Sequence, residues 1–351
     1  MYRDTYLEIN LNNIKENVRK TINKYNDYKY YFGVVKADCY GHGLKAVDAI
    51  IEGGCNYLAV ATLDEALEVR SLYKEIPILC LGIIDVKYLN LCKENNITIT
   101  ISNKEYLDEL LLSNVNDLKV HIKLNTGMNR LGVNNKDDFN YIYKKIIKSS
   151  LYLEGIYTHI YDANNSGSTL KQVEVFKNIT SDIDLKSIPI VHIGASDTIT
   201  NYKRFDFANG CRLGFIMYGF TNDNDLDLKS TFKLLSKVTQ INYVDGTVGY
   251  KGAYKTNKKE YIAVICCGYA DGVIRKNTGR LVYINDKRYP IVGNVCMDML
   301  FVKVDDSVHV KDTVYLIKDN EDLKYISNYL DTIAYELLCE VSKRVPRVYI
   351  K

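Results

Sequence analysis

No run of like charge, no basic tail and no apolar stretch of membrane length occurs in this sequence. The 46 Lys and Arg residues stand against 43 Asp and Glu, leaving a formal net charge of +3. The cations are spread along the chain, so nucleic acid is not expected as a partner. Apolar runs such as Ile262–Cys267 are far shorter than the roughly 20 residues that span a bilayer, and no membrane partner is expected. The opening Met1-Tyr2-Arg3-Asp4 leads into Glu8 and Asn10 rather than an apolar signal segment, and a cytoplasmic location is expected. The nine cysteines include no CxxC pair. Adjacent Cys266 and Cys267 suit neither an ordinary disulfide nor a zinc knuckle, so buried thiols in a reducing compartment are expected. The five histidines lack HExxH-like spacing, and no metal is expected. Internal repeats and low-complexity segments are also missing.

What is present is an ordinary globular composition, 47% hydrophobic and 25% charged over 351 residues, enough for one large domain and a smaller one. Strand-like runs occur at 30–35, 57–61, 76–81, 97–101, 118–124, 151–158, 188–193 and 211–213. Helical spacing fills several of the gaps, as at 63–73, 104–112 and 137–148. Strands alternating with helices predict a parallel sheet. Eight such units with no switch in strand order favour a closed (β/α)8 TIM-like barrel. After the polar stretch NDNDLD near 222–227 the pattern changes. Strands are predicted at 237–243, 261–267, 280–284, 299–304 and 313–317, with a hairpin turn at Asn285-Asp286. One helix over 322–340 then precedes a last strand over 345–350. The fold class is therefore α/β: a barrel domain over 1–225 and a mostly β domain over 226–351.

Lys36 ends the first run, at the strand end where barrel enzymes place their chemistry. A lysine there is costly unless paired or used covalently; a salt-bridged lysine and a nucleophilic anchor for an aldehyde cofactor are the two readings. The seventh and eighth runs lead to Ser196 and Gly214, where barrels often bind phosphate through hydroxyl and amide donors. Tyr40 can add a phenolic donor. Arg212 lies within the eighth run and needs an acceptor if buried. A structural ion pair would serve, and so would a pyridine nitrogen, which an arginine would leave unprotonated. His159 ends the sixth run, as a core histidine or a link from Arg212 to another acid or base. Lys123 and Arg130 frame the fifth run and its loop; the fork of Arg130 suits a phenolic oxygen or a carboxylate, and a carbamate on Lys123 would relieve their like-charge repulsion.

VVKADCYGHG, KLNTGMNRLG, THIYDAN, RLGFIMYG, GYADG, GNVCMDM and RVPR together resemble, in order and over nearly the whole chain, the bacterial alanine racemases, a fold-type III pyridoxal-phosphate (PLP) family. The resemblance implies that Lys36 holds PLP as an imine and is one catalytic base. It implies that Tyr250, in VGYKGAY, is the other, supplied by the partner subunit of a homodimer with shared active sites. Arg212 would face the pyridine nitrogen and His159 would connect it to Tyr250. Arg130 would bind the phenolic oxygen, and Lys123 matches a lysine that is often carbamylated. Tyr40, Ser196 and Gly214 would hold the phosphate, and Tyr269 and Met297 would line the substrate entrance and carboxylate site.

The implied activity is interconversion of L- and D-alanine by two bases, supplying D-alanine for peptidoglycan. Both bases have reference pKa values of about 10, so neighbouring cations must depress them; His159 and Arg212 are the candidates beside Tyr250. The chain departs from the family at Ala195-Ser196-Asp197, at Lys123-Leu124-Asn125-Thr126-Gly127 and at Lys343, which precedes RVPR where many relatives carry tyrosine. These departures leave open a racemase preferring serine or another amino acid. A single-barrel PLP carrier would lack Tyr250 and GYADG. A decarboxylase of the same fold type would want an acid in place of Arg212. A non-enzymatic binding module would not need both Lys36 and Tyr250.

Overall fold

A computed structural model describes residues 2–113 and 115–351; Met1, the first residue of the expected barrel domain, and Asn114 lie outside them. The chain begins with β1 (Tyr6–Asn10) and then forms eight strands: β2 (Tyr30–Val34), β3 (Tyr57–Val60), β4 (Ile78–Cys80), β5 (Ile97–Ile101), β6 (Lys119–Lys123), β7 (Tyr152–Tyr157), β8 (Ile190–Ala195) and β9 (Gly210–Leu213). All are parallel to their neighbours, and β2 pairs with both β3 and β9, closing the barrel. Helices follow in turn, among them Leu63–Leu72, Lys104–Leu112, Lys136–Lys148 and Ser166–Ile179. The predicted barrel is the observed one.

Side chains fill the barrel. The rings of Phe32 and Tyr57 stack at 4.3 Å, Phe32 and His192 at 4.5 Å, and Tyr157 and His192 at 4.7 Å. Gly155 on β7 makes room for this layer, because a Cβ there would lie 2.5 Å from the His121 ring.

The second unit contains β10 (Phe232–Val244), β11 (Thr247–Val248), β12 (Tyr254–Lys255), β13 (Glu260–Ile265), β14 (Leu281–Ile284), β15 (Lys287–Val292), β16 (Leu300–Val304), β17 (Thr313–Ile317) and β18 (Arg347–Ile350). Its sheet runs β13-β16-β15-β14-β17-β10-β1-β18, and β10 also pairs with β13, so six antiparallel strands close on themselves. Asn285 and Asp286 both adopt positive φ, 50° and 61°, as a tight hairpin turn requires. The helix expected over 322–340 is two, Asn320–Leu330 and Ala334–Glu340. Asp331 takes a left-handed conformation at φ 58° and ends the first.

Beside the expected break at 225/226, one unit boundary falls at Leu228/Lys229, and two earlier segments join the second unit. One unit comprises Ile14–Cys39 and Leu44–Leu228; the other comprises the chain up to Asn13, Tyr40–Gly43 and Lys229–Lys351. The cause is β1, whose Leu7 and Ile9 are fully buried and which pairs antiparallel with β10 and parallel with β18. Among the described residues no helix is long and apolar enough to cross a membrane.

Candidate active site

Lys36 lies two residues beyond the end of β2 and is half-buried. The next four residues, Ala37 to Tyr40, all lie in the left-handed region, with φ of 52°, 54°, 54° and 53°. Each non-glycine residue there costs roughly 1–2 kcal/mol, so neighbouring structure must impose the turn. Glu65 is one restraint. Its carboxylate accepts from the Ala37 amide at 2.7 Å and from Ala61 at 2.7 Å, while completing a capping box with Thr62 at the start of the helix Leu63–Leu72. The helix cap and the Lys36 turn thus share one carboxylate.

Lys123 is the last residue of β6 and points, like His121 two residues earlier, into the barrel side of the strand. It is buried, with Nζ 5.6 Å from the centre of the Tyr157 ring. Burial, then the charges of Arg130, Arg212 and Lys36, push its pKa down to about 8. Arg130 sits in a loop returning to β6, where Val133 N donates to Lys123 O at 2.8 Å. The Asn125 amide organises that loop: Oδ1 accepts from the Gly127 and Asn129 amides, and Nδ2 donates to Asn129 and Asn134.

Arg212, on β9, is buried and has no carboxylate on its fork among the described residues. Nη1 donates to His192 Nδ1 at 2.7 Å and to His192 O at 3.0 Å; Nη2 donates to Thr158 O at 2.8 Å and to His159 Nδ1 at 3.2 Å. Burial lowers its pKa to about 10, which leaves it charged near neutrality. Arginine only donates, so both histidine Nδ1 atoms must be acceptors. His192 then carries its proton on Nε2 and gives it to His121 Nδ1 at 3.0 Å; His121 gives its own to Glu154 at 3.2 Å. Glu154 also accepts from Tyr57 at 2.6 Å and Thr98 at 3.0 Å. Burial opposes its ionisation, but His121, Tyr57 and Thr98 hold its pKa down to about 2. A carboxylate and a guanidinium are therefore joined through two neutral imidazoles.

The same logic corrects one expectation. His159 was expected as a cation beside Tyr250. Burial, then Arg212, Arg130, Lys123 and Lys36, lower its pKa to about 3, so it is neutral at physiological pH. Its bond to Arg212 makes it a tautomer-fixed donor through Nε2. Ser196 and Gly214 lie just beyond β8 and β9, and Gly214 N donates to Ser196 Oγ at 3.1 Å.

Tyr40, Tyr250, Tyr269 and Met297 belong to the second unit. Tyr40 is buried, 6.1 Å in ring separation from Tyr335. Tyr250 starts the turn Tyr250–Gly252 at the tip of the β11–β12 hairpin and is 71% exposed. Lys251 beside it has φ 60°. Tyr269 and Met297 are 41% and 53% exposed, and their segments are laced together by Tyr269 N to Cys296 O and Ala270 N to Met297 O, each 3.0 Å. Lys343 is exposed. Sequence reasoning did not single out Glu65, His121, Glu154, His192 or Asp271. His121 and His192 carried a readable signal, since each is a titratable residue inside an apolar strand.

The family model for the alanine racemase N-terminal domain matches residues 9–222, and that for the alanine racemase C-terminal domain matches residues 231–349. The alanine racemase of Halalkalibacterium halodurans is 34% identical over 100% of this chain and 96% of its own length. The crystal structure of alanine racemase from E. faecalis superposes with a TM-score of 0.94 at 32% identity, covering 99% of each chain. A histidine racemase from Leuconostoc mesenteroides shares the fold, with a TM-score of 0.89 at 24% identity, covering 100% of this chain and 99% of its own.

Proposed function

Because the chain belongs to the alanine racemase family of PLP-dependent amino-acid racemases, we propose that it interconverts L- and D-alanine, with Lys36 and Tyr250 as the two bases. The observation that carries this reading is the setting of Arg212. Its Nη protons are taken by His192, His159 and backbone oxygens, and its Nε–H has no acceptor among the described residues. A donor of this kind fits a pyridine nitrogen. Lys36, Lys123, Arg130 and Arg212 form a cationic group whose charges reach Lys123 and His159, a setting suited to a ligand bearing phosphate and carboxylate.

The residues present fit PLP. Lys36 would hold its aldehyde, Ser196, Gly214 and Tyr40 its phosphate, Arg130 its phenolic oxygen and Arg212 its ring nitrogen. When bound, PLP supplies acidity at the Cα–H of the attached amino acid. Arg212, kept charged, leaves the ring nitrogen unprotonated and so disfavours transamination. Lys36 and Tyr250 each hold or release one proton at Cα, on opposite faces, so the substrate need not turn over. Tyr250 would come from the partner subunit of a homodimer, with Tyr269 and Met297 lining the entrance. Lys123 as a carbamate would pair with Arg130. A cytoplasmic enzyme of this kind would supply D-alanine for peptidoglycan.

A second reading, preference for serine or another amino acid, is favoured by exposed Lys343 in place of the frequent tyrosine. The fold alone does not choose the side chain, since it also carries a histidine racemase. The test is to incubate the pure protein with each L-amino acid and resolve the enantiomers. Alanine should have the highest kcat/KM. Serine should follow within about a hundredfold, because a pocket fitted to a methyl rejects an added hydroxyl only weakly. A higher kcat/KM for serine or a charged amino acid would replace the substrate while leaving the racemase.

A further inference from the structure

Asp271 lies in the second unit and is fully buried, yet the two-base reaction makes no use of its carboxylate. Arg3 grips it with both Nη atoms, at 2.6 Å to Oδ1 and 2.5 Å to Oδ2. Arg344 Nε donates to Oδ1 at 2.6 Å, and Gly268 N donates to Oδ2 at 3.0 Å. Arg344 also reaches Asp298 at 2.7 Å, and Ser342 N donates to the Asp271 carbonyl at 3.2 Å. Burial favours protonation of Asp271, but Arg3, Arg344 and the Gly268 amide outweigh it and hold the pKa below the ordinary carboxylate value.

These bonds gather four segments distant in sequence. One holds Arg3. The second holds Tyr269, two residues from Asp271. The third holds Met297, next to Asp298 and bonded through its carbonyl to Ala270 N. The fourth holds Lys343, with both flanking residues bonded to Asp271. Gly268 allows the close approach, since a Cβ there would lie 2.4 Å from both Cys296 O and Met297 O. We propose that Asp271 is a positioning residue which, clamped by Arg3 and Arg344, sets the relative placement of Tyr269, Met297 and Lys343 and thereby the fit of the substrate. The proposal rests on the reading that these three side chains face substrate. Loss of the clamp frees them to spread, so binding and selectivity change while the barrel-side residues are untouched.

The test compares holoenzyme carrying Asp271→Asn, Arg3→Gln or Arg3→Lys with the wild type by amide hydrogen exchange, visible absorbance and kinetics on alanine and serine. Asp271→Asn and Arg3→Gln should speed exchange at the Tyr269 and Ala270 amides and raise KM, each roughly tenfold, the worth of one charged hydrogen bond. The kcat should change less, the alanine-to-serine selectivity should fall, and the absorbance should stay as in the wild type. Arg3→Lys should recover part of the loss. If Asp271→Asn does not fold, Arg3→Gln decides alone. Wild-type exchange, KM and selectivity in Arg3→Gln and in any folded Asp271→Asn would overturn the proposal. A wild type that racemises nothing would overturn the functional reading instead, and the exchange data would still judge the clamp.

Discussion

Arg212 and His192 are joined twice, through the imidazole Nδ1 at 2.7 Å and the backbone carbonyl at 3.0 Å. The first bond fixes the tautomers of His192 and His121 and links Arg212 to Glu154 without a direct ion pair. His192→Phe keeps the ring stack with Phe32 and Tyr157 and removes only the polar contacts. It should destabilise the fold by about 1–3 kcal/mol, the cost of a buried donor left unmet, and lower kcat. Denaturant unfolding and steady-state kinetics check both.

Arg212→Glu should slow racemisation and raise side transamination, because a carboxyl at this position protonates the ring nitrogen. Product analysis for keto acid measures the second effect. Unchanged rates of both reactions would make Arg212 purely structural.

Lys123 supplies a pH dependence with a definite sign. Its folded pKa of about 8 lies below its ordinary value of 10.5, so the unfolded chain binds the extra proton between those values and stability rises with pH across that window. Below pH 8 the charged lysine costs the fold on the order of 3 kcal/mol. Lys123→Met should therefore stabilise the apoprotein at pH 7 and flatten its stability profile between pH 8 and 10.5. Bicarbonate should stabilise the wild type near pH 8, where the amine is half neutral, and leave Lys123→Met unaffected.

Glu65→Ala removes the carboxylate half of the capping box and the anchor of the Ala37 amide together, while Thr62 still caps the residue-65 amide. The loss to the helix should therefore stay below the roughly 1 kcal/mol of a full N-cap. The variant should also release PLP faster, because the strained turn after Lys36 loses a restraint. Dialysis followed by visible absorbance measures that release. Lys36→Ala should lose the borohydride-sensitive absorbance altogether.

The barrel was legible because each of its strands is a short apolar run closed by a polar turn. The ionisable residues within or just after those runs, Lys36, Lys123, His159 and Arg212, stood out against them. β1 was not legible, because its partners β10 and β18 lie more than two hundred residues away in sequence. The break at Asp331 was hidden because aspartate adopts the left-handed conformation at modest cost and apolar spacing resumes after it. The chain from Arg212 to Glu154 depends on the registers of β6 through β9, and the Asp271 clamp on contacts from Arg3 to Arg344; neither leaves a local pattern.

The most direct test of the two-base account is Tyr250→Phe incubated separately with L- and D-alanine in deuterium oxide, with deuterium at Cα and enantiomer composition followed together. The account predicts that racemisation is lost while one enantiomer, the one presenting its Cα–H to Lys36, still exchanges without inverting. Racemisation at the wild-type rate, or exchange lost equally from both enantiomers, would contradict it.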